Sequence, residues 1–210
     1  MKKQVFCFAL FSLLLLVLCS AASADSAQEA YDRGMEAYEN ENFELAVTEF
    51  RKAAERGYPP AQCYLGWMYD RGEGVEQNYD EAVKWYRKAA EQGDAKAQHN
   101  LGFMYYTGRG VTQNYAEAVK WYRKVAEHGQ PEGQVVMGLL YLEGKAVPQS
   151  YFQAYIWFNI AADNSSGALR QDAVKYRTKA AEQLSPDQLA KAQKISSEWK
   201  PKNNDHALNS

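Results

Sequence analysis

The chain has 210 residues, with 24 basic and 26 acidic side chains and a formal net charge of −2. This balance, with no basic stripe along the sequence, excludes the electrostatic footprint of a nucleic-acid binder. The three cysteines, Cys7, Cys19 and Cys63, set no metal-ligand spacing with each other or with His99, His128 and His206.

The N-terminus comes first. Lys2 and Lys3 precede an almost wholly apolar run from Val5 to Leu18, which ends near Ala22-Ser23-Ala24. The pattern predicts a secretory signal peptide over residues 1–24, with cleavage after Ala24. The run is short for a membrane span of about 20 residues, which disfavours an uncleaved anchor. Leu18 stands where a small residue would precede a lipidated Cys19. The expected location is periplasmic or secreted. Cleavage removes two lysines and no acid, so the formal charge moves from −2 to −4. It also leaves Cys63 alone, with no internal disulfide to form, so helix packing must hold the mature chain together.

Residues 25–60 include AYDRGMEAYENENFELAVTEFRKAAERGYPP, in which Gly34, Ala37, Ala46, Phe50, Ala53 and Pro59 have tetratricopeptide-repeat spacing. The stretch Asn78–Gly93, NYDEAVKWYRKAAEQG, then returns as NYAEAVKWYRKVAEHG at Asn114–Gly129. Ala46, Ala82, Ala118 and Ala154 recur every 36 residues. At about 100° per residue, Tyr79, Ala82, Val83, Tyr86, Ala89 and Ala90 share one face of a helix. Asn78 is expected to cap it, with Glu81 reaching back to the Asn78 N–H, and Gly93 to end it. Ser150 and Gln153 are expected to make the same box in the third copy. A 14-residue helix is marginal alone, so this apolar face needs a partner. Ala61, Leu65, Met68 and Tyr69 mark that partner just upstream. Gly66, Gly102 and Gly138 remove a side chain where the two helices can cross closely.

From Ala61 the turn between helices lengthens: Gly66 to Ala82 is sixteen residues, against twelve from Gly34 to Ala46. The insertion RGEGVEQN is copied as TGRGVTQN and EGKAVPQS. The windows AQCYLGWMYDRGEGVEQNYDEAVKWYRKAAEQGD and AQHNLGFMYYTGRGVTQNYAEAVKWYRKVAEHGQ match at 23 of 34 positions and resemble Sel1-like repeats. The third, Gly133–Ser166, departs at Gly133, Val135 and Ala146 but keeps Gly138, Tyr141, Gly144, Val147, Tyr151, Ala154 and Trp157. Repeats are thus read at 61–96, 97–132 and 133–166. The resemblance implies an all-α, right-handed α-solenoid of Sel1-like and tetratricopeptide hairpins. Residues 167–200 read as a C-terminal pair of capping helices, the second opening on Ser185-Pro186-Asp187-Gln188. Residues 201–210 carry little apolar content and are expected to form a disordered tail.

The first helix of each hairpin carries a second face. Tyr31, Met35 and Tyr38 share one spacing with Cys63, Trp67 and Asp70, with His99, Phe103 and Tyr106, and with Val135, Leu139 and Leu142. In proteins similar to this one the first helices line a concave surface, which implies a partner-binding aromatic groove for a peptide. The same spacing also fits a face packed on the preceding repeat, and the sequence leaves both open. Tetratricopeptide domains that grip acidic C-termini use basic clusters here, which are missing, although Asn100 is present. The GEG and GRG runs lack the Lys-Ser/Thr of a phosphate loop. Cys63 and His99 lack an orienting third group for nucleophilic catalysis. No catalytic residue, metal site or cofactor is therefore expected. The predicted function is a scaffold for a protein or peptide of the cell envelope. One alternative is a binder or hydrolase of β-lactams or peptidoglycan fragments. The exported relatives linked to that activity carry a cysteine pair per repeat, which this chain lacks. Another is self-association through the groove.

Overall fold

A computed structural model describes residues 26–202. The predicted signal peptide, Cys7, Cys19 and the tail beyond Lys202 lie outside the described residues. Residues 26–39 are helical (α1), followed by α2 (Phe43–Glu55), α3 (Pro59–Arg71), α4 (Tyr79–Glu91), α5 (Ala95–Thr107), α6 (Tyr115–Glu127), α7 (Pro131–Glu143), α8 (Tyr151–Asn164), α9 (Gly167–Ala181) and α10 (Pro186–Glu198). The described chain is all-α and packs as sequential hairpins, consistent with the expected solenoid class. It divides into two compact units, one ending at Asp94 and one beginning at Ala95.

In the first unit, α1 to α4 enclose a core of Ala46, Phe50, Ala53, Leu65 and Met68. Helices can approach closely only where side chains are absent. Cβ atoms built on Gly34 and Gly66 would lie 2.6 Å from the Phe50 ring and 2.8 Å from the Tyr86 ring. In the second unit, α5 pairs with α6 and α7 with α8 in the same way. A Cβ on Gly102 would meet Tyr122 at 3.0 Å, and one on Gly138 would meet Phe158 at 2.6 Å. Each hairpin is therefore keyed by one glycine on its first helix and one ring on its second.

The caps follow the sequence in part. Asn42, Asn78, Asn114 and Ser150 accept hydrogen bonds from the backbone N–H groups of Leu45, Glu81, Glu117 and Gln153. The reciprocal half expected of Glu81 is not made. The Asn78 N–H donates to the Tyr69 carbonyl at 2.9 Å, and the Glu81 carboxylate pairs with Lys84 instead. The Ser150 N–H donates likewise to the Tyr141 carbonyl. The longer inter-helix loop takes over the donor that a simple box would satisfy. Only Ser185 and Gln188, which follow no such loop, complete a box among the described residues.

One recurring residue of the inserted loop holds it in place. Gln77, Gln113 and Gln149 donate from Nε2 to the carbonyls of Asp70, Tyr106 and Leu142, at 2.7, 2.9 and 2.9 Å. The loops also turn on left-handed residues. Gly74 and Gly110 have φ of 68° and 66°, but the third loop places Ala146 there at 68°.

The C-terminal helices keep the repeat register and lose the hairpin. Gly167 opens α9, 36 residues after Pro131 opens α7. Val174 stands where Gly66, Gly102 and Gly138 stand, and Lys194 where Tyr86, Tyr122 and Phe158 stand. Glycine and ring are both gone, and α10 packs on α8 rather than closing on α9. Trp199 meets Trp157 edge-on at 6.5 Å, and Asn159 Nδ2 donates to Ser196 Oγ at 2.9 Å. On the other side of α8, Phe158 stacks on Tyr176 of α9 at 5.5 Å. The chain beyond α10 lies against the end of α6, where Lys202 donates its N–H to the Glu127 carbonyl and pairs with the Glu127 side chain.

Candidate functional site

In the first unit the second face of α1 is largely occupied. Tyr31 lies 5.2 Å from Tyr58 and 5.9 Å from Tyr64, ring centre to ring centre. Burial, reinforced by these neighbouring phenols, pushes its hydroxyl up to about 12. Tyr38 packs on Phe43 and Tyr64 and donates to Glu73 Oε2 at 3.1 Å. Burial raises the Tyr38 pKa, and so does that carboxylate. Tyr64, stacked 5.1 Å from Phe50, is the centre of this ring cluster. The sequence spacing does not reveal its place, because it sits one position off the Cys63 and Trp67 row. Met35 is half-buried against the same core.

On α3, Cys63 is buried and in no disulfide. It forms part of the packed floor rather than an accessible contact. Trp67 and Asp70 remain half-buried. The Arg71 guanidinium stands 5.0 Å from the Trp67 ring centre, a cation–π pair one helical turn on. Trp67 Nε1 is buried without a hydrogen-bond acceptor, an uncommon state for an indole N–H.

In the second unit, α5 presents His99, Phe103 and Tyr106. Phe103 is 39% exposed, one of four large apolar side chains exposed among the described residues. Arg109 lies 5.7 Å from its ring centre. Tyr106 meets exposed Tyr115 edge-on at 5.3 Å. His99 stands edge-on to Tyr122 at 5.4 Å, and its Nδ1 is buried with no partner. Burial lowers the His99 pKa below its usual 6.5, against a smaller upward pull from Glu132. The imidazole is therefore neutral at pH 7. On α7, Val135 is buried, while Leu139 and Leu142 are half-buried against the core. The first-helix face is thus packed at Cys63 and Val135, half-buried at Trp67 and Tyr106, and exposed at Phe103.

Two other features complete the chemistry. A depression of about 280 Å³ between α1 and α2 is lined by Arg33, Asn40, Leu45 and Glu49. Glu49 is buried but paired with both Arg33 and Lys52. Burial raises its pKa, and the two hydrogen-bonded cations outweigh that and hold it below the usual carboxylate value. Among the described residues, no group of His, Cys, Asp or Glu could hold a metal ion.

The helix register decides the family. The Sel1 repeat model matches residues 59–94, 95–130 and 131–166, each span opening where α3, α5 or α7 begins. The chain belongs to the Sel1 repeat family. The matched spans start two residues ahead of the 61, 97 and 133 starts read from the sequence, at the first helical residues Pro59, Ala95 and Pro131. A Sel1 repeat protein from Oxalobacter formigenes has 35% identity and a TM-score of 0.57, over 73% of this chain and 49% of that one. The protective antigen c5321 of uropathogenic Escherichia coli, described as having an SLR fold, has 31% identity and a TM-score of 0.47, over 74% of this chain and 40% of that one. This Sel1 repeat chain therefore spans about half the length of the first structure and less of the second. No curated protein is significantly similar to it. Sel1 repeats are scaffold modules, and no helix among the described residues is long and apolar enough to cross a membrane.

Proposed function

We propose that the chain is an exported scaffold that binds a protein or peptide of the cell envelope on the first-helix faces of its repeats. Trp67 in the first unit and Phe103 with Tyr106 in the second supply the affinity. The observation that carries this reading is the state of that face after hairpin packing. Phe103 is left exposed with the Arg109 guanidinium 5.7 Å from its ring centre, and Trp67 and Tyr106 are left half-buried. Aromatic side chains dominate the energy of protein interfaces, and an extended peptide can lay its side chains against such a row. The predicted leader and the repeat scaffold together support export followed by recognition, with no bond made or broken.

The test is affinity capture from envelope extract by the mature chain beside a Trp67→Ala/Phe103→Ala variant of equal helicity. A protein held by the wild type and lost by the variant supports the reading and names the partner. Identical captured sets overturn it and assign the face to packing.

A further inference from the structure

The second helix of each repeat carries its own recurring pattern, separate from the first-helix face. On α6 it reads Lys120, Trp121, Arg123, Lys124, and on α4 Lys84, Trp85, Arg87, Lys88. At the same positions α8 reads Ile156, Trp157, Asn159, Ile160, and there a helix is docked. Ile156, Trp157 and Ile160 are buried, α10 lies on α8, Trp199 meets the Trp157 ring, and Ser196 accepts from Asn159. The chain thus shows, within its second unit, how this face of the repeat receives an amphipathic helix.

On α6 the indole is kept and its neighbours are changed. Lys124 Nζ stands 4.3 Å from the Trp121 ring centre, and Lys88 Nζ repeats this at 4.1 Å over Trp85. Lys120 and Lys84 bind Glu117 and Glu81 of their own helices, whereas Lys124 and Lys88 pair with no carboxylate among the described residues. Where Asn159 meets a hydroxyl, Arg123 presents a planar fork suited to a carboxylate, reaching the Tyr141 hydroxyl only at 3.4 Å. Where Ile160 is apolar, Lys124 is a cation. At these two positions α6 puts a cation where α8 has Asn159, bonded to Ser196 and Arg177, or the buried Ile160.

We propose that the Trp121/Lys124 face of α6, with its copy Trp85/Lys88 on α4, docks an amphipathic helix of a partner protein bearing an aromatic side chain and carboxylates. The aromatic residue takes the place of Trp199 against the indole, and the carboxylates meet Arg123 and Lys124. The lysines also turn away a helix that brings no facing acid, and α10 itself, whose Lys191 and Lys194 add like charge, keeps its place on α8.

The test uses a fluorescein-labelled, lactam-stabilised peptide of Ser185–Trp199 carrying Lys191→Glu, Lys194→Glu and Ser196→Glu, read by anisotropy against the full chain. The expected result is saturable binding that weakens with salt and falls about tenfold for a Lys88→Glu/Lys124→Glu variant of unchanged circular dichroism. The unsubstituted peptide should bind more weakly than the acidic one. The proposal is overturned by no saturable binding up to about 1 mM. It is equally overturned by equal affinity for wild type and variant, which would place the peptide on α8 by displacement of α10. Neither outcome bears on the first-helix face.

Discussion

Gly138→Ala is a substitution on which local propensity and packing disagree in sign. Gly138 lies inside α7, where alanine gains about 1 kcal/mol over glycine from helix propensity. Its new Cβ would stand 2.6, 2.7 and 2.8 Å from three atoms of the Phe158 ring. That ring has no room to yield: it is fully buried and stacked on Tyr176. Overpacking of this kind costs about 1–3 kcal/mol, so the net expectation is a loss of about 1 kcal/mol. For a chain of this size that lowers Tm by about 2–4 °C. Gly102→Ala is the internal control. Its nearest contacts with Tyr122 are 3.0 to 3.2 Å, relieved by a few tenths of an ångström, so propensity offsets the strain and the change is near zero. Urea unfolding of both variants, with Phe158→Leu and the Gly138→Ala/Phe158→Leu double variant, closes a double-mutant cycle. The smaller side chain should absorb most of the alanine's cost. A Gly138→Ala protein more stable than wild type would refute the close-crossing account and leave helix propensity in charge.

The remaining predictions concern charge and backbone. Glu49→Gln should cost about 1 kcal/mol at pH 7, a figure held down because Arg33 and Lys52 are about half exposed. The folded Glu49 pKa is depressed, so its contribution is present above the unfolded carboxylate range and lost as pH falls through the folded value. Urea midpoints between pH 3 and 7 should therefore converge for wild type and variant at the acid end; parallel curves would count against the ion pairs. His99 is also depressed, so below its ordinary 6.5 the unfolded chain takes up the proton first and stability falls with acid. His99→Gln should flatten that slope between pH 7 and 5, and an unchanged slope would assign it elsewhere. Ala146→Gly should stabilise by about 0.5–1 kcal/mol, since the left-handed φ of 68° strains alanine by more than glycine adds in chain entropy. Thermal unfolding reads this directly, and a lowered Tm would refute it.

Repetition made the architecture readable before any contact was known. A 36-residue period, an amphipathic second helix and glycines at 66, 102 and 138 determine hairpins, because each element's apolar face has one neighbour that can cover it. The candidate face was legible only as a spacing. Whether a residue on it is floor or surface depends on how deeply the hairpins close, and that separated buried Cys63 and Val135 from exposed Phe103. Ring clustering around Tyr64 draws Tyr31 and Tyr38 inward by side-chain direction, which spacing alone does not encode. The Asn78 box stays half-made for a similar reason, since its backbone donor is claimed by Tyr69, nine residues away along the chain. At the C-terminus, Val174 and Lys194 sat in the sequence as departures from glycine and ring. Their consequence, α10 leaving α9 for α8, appeared only in three dimensions. Periodic burial is a local property that a sequence writes out residue by residue. Which of two competing surfaces a helix covers is settled by the sum of contacts each would make, and that sum exists only in the folded chain.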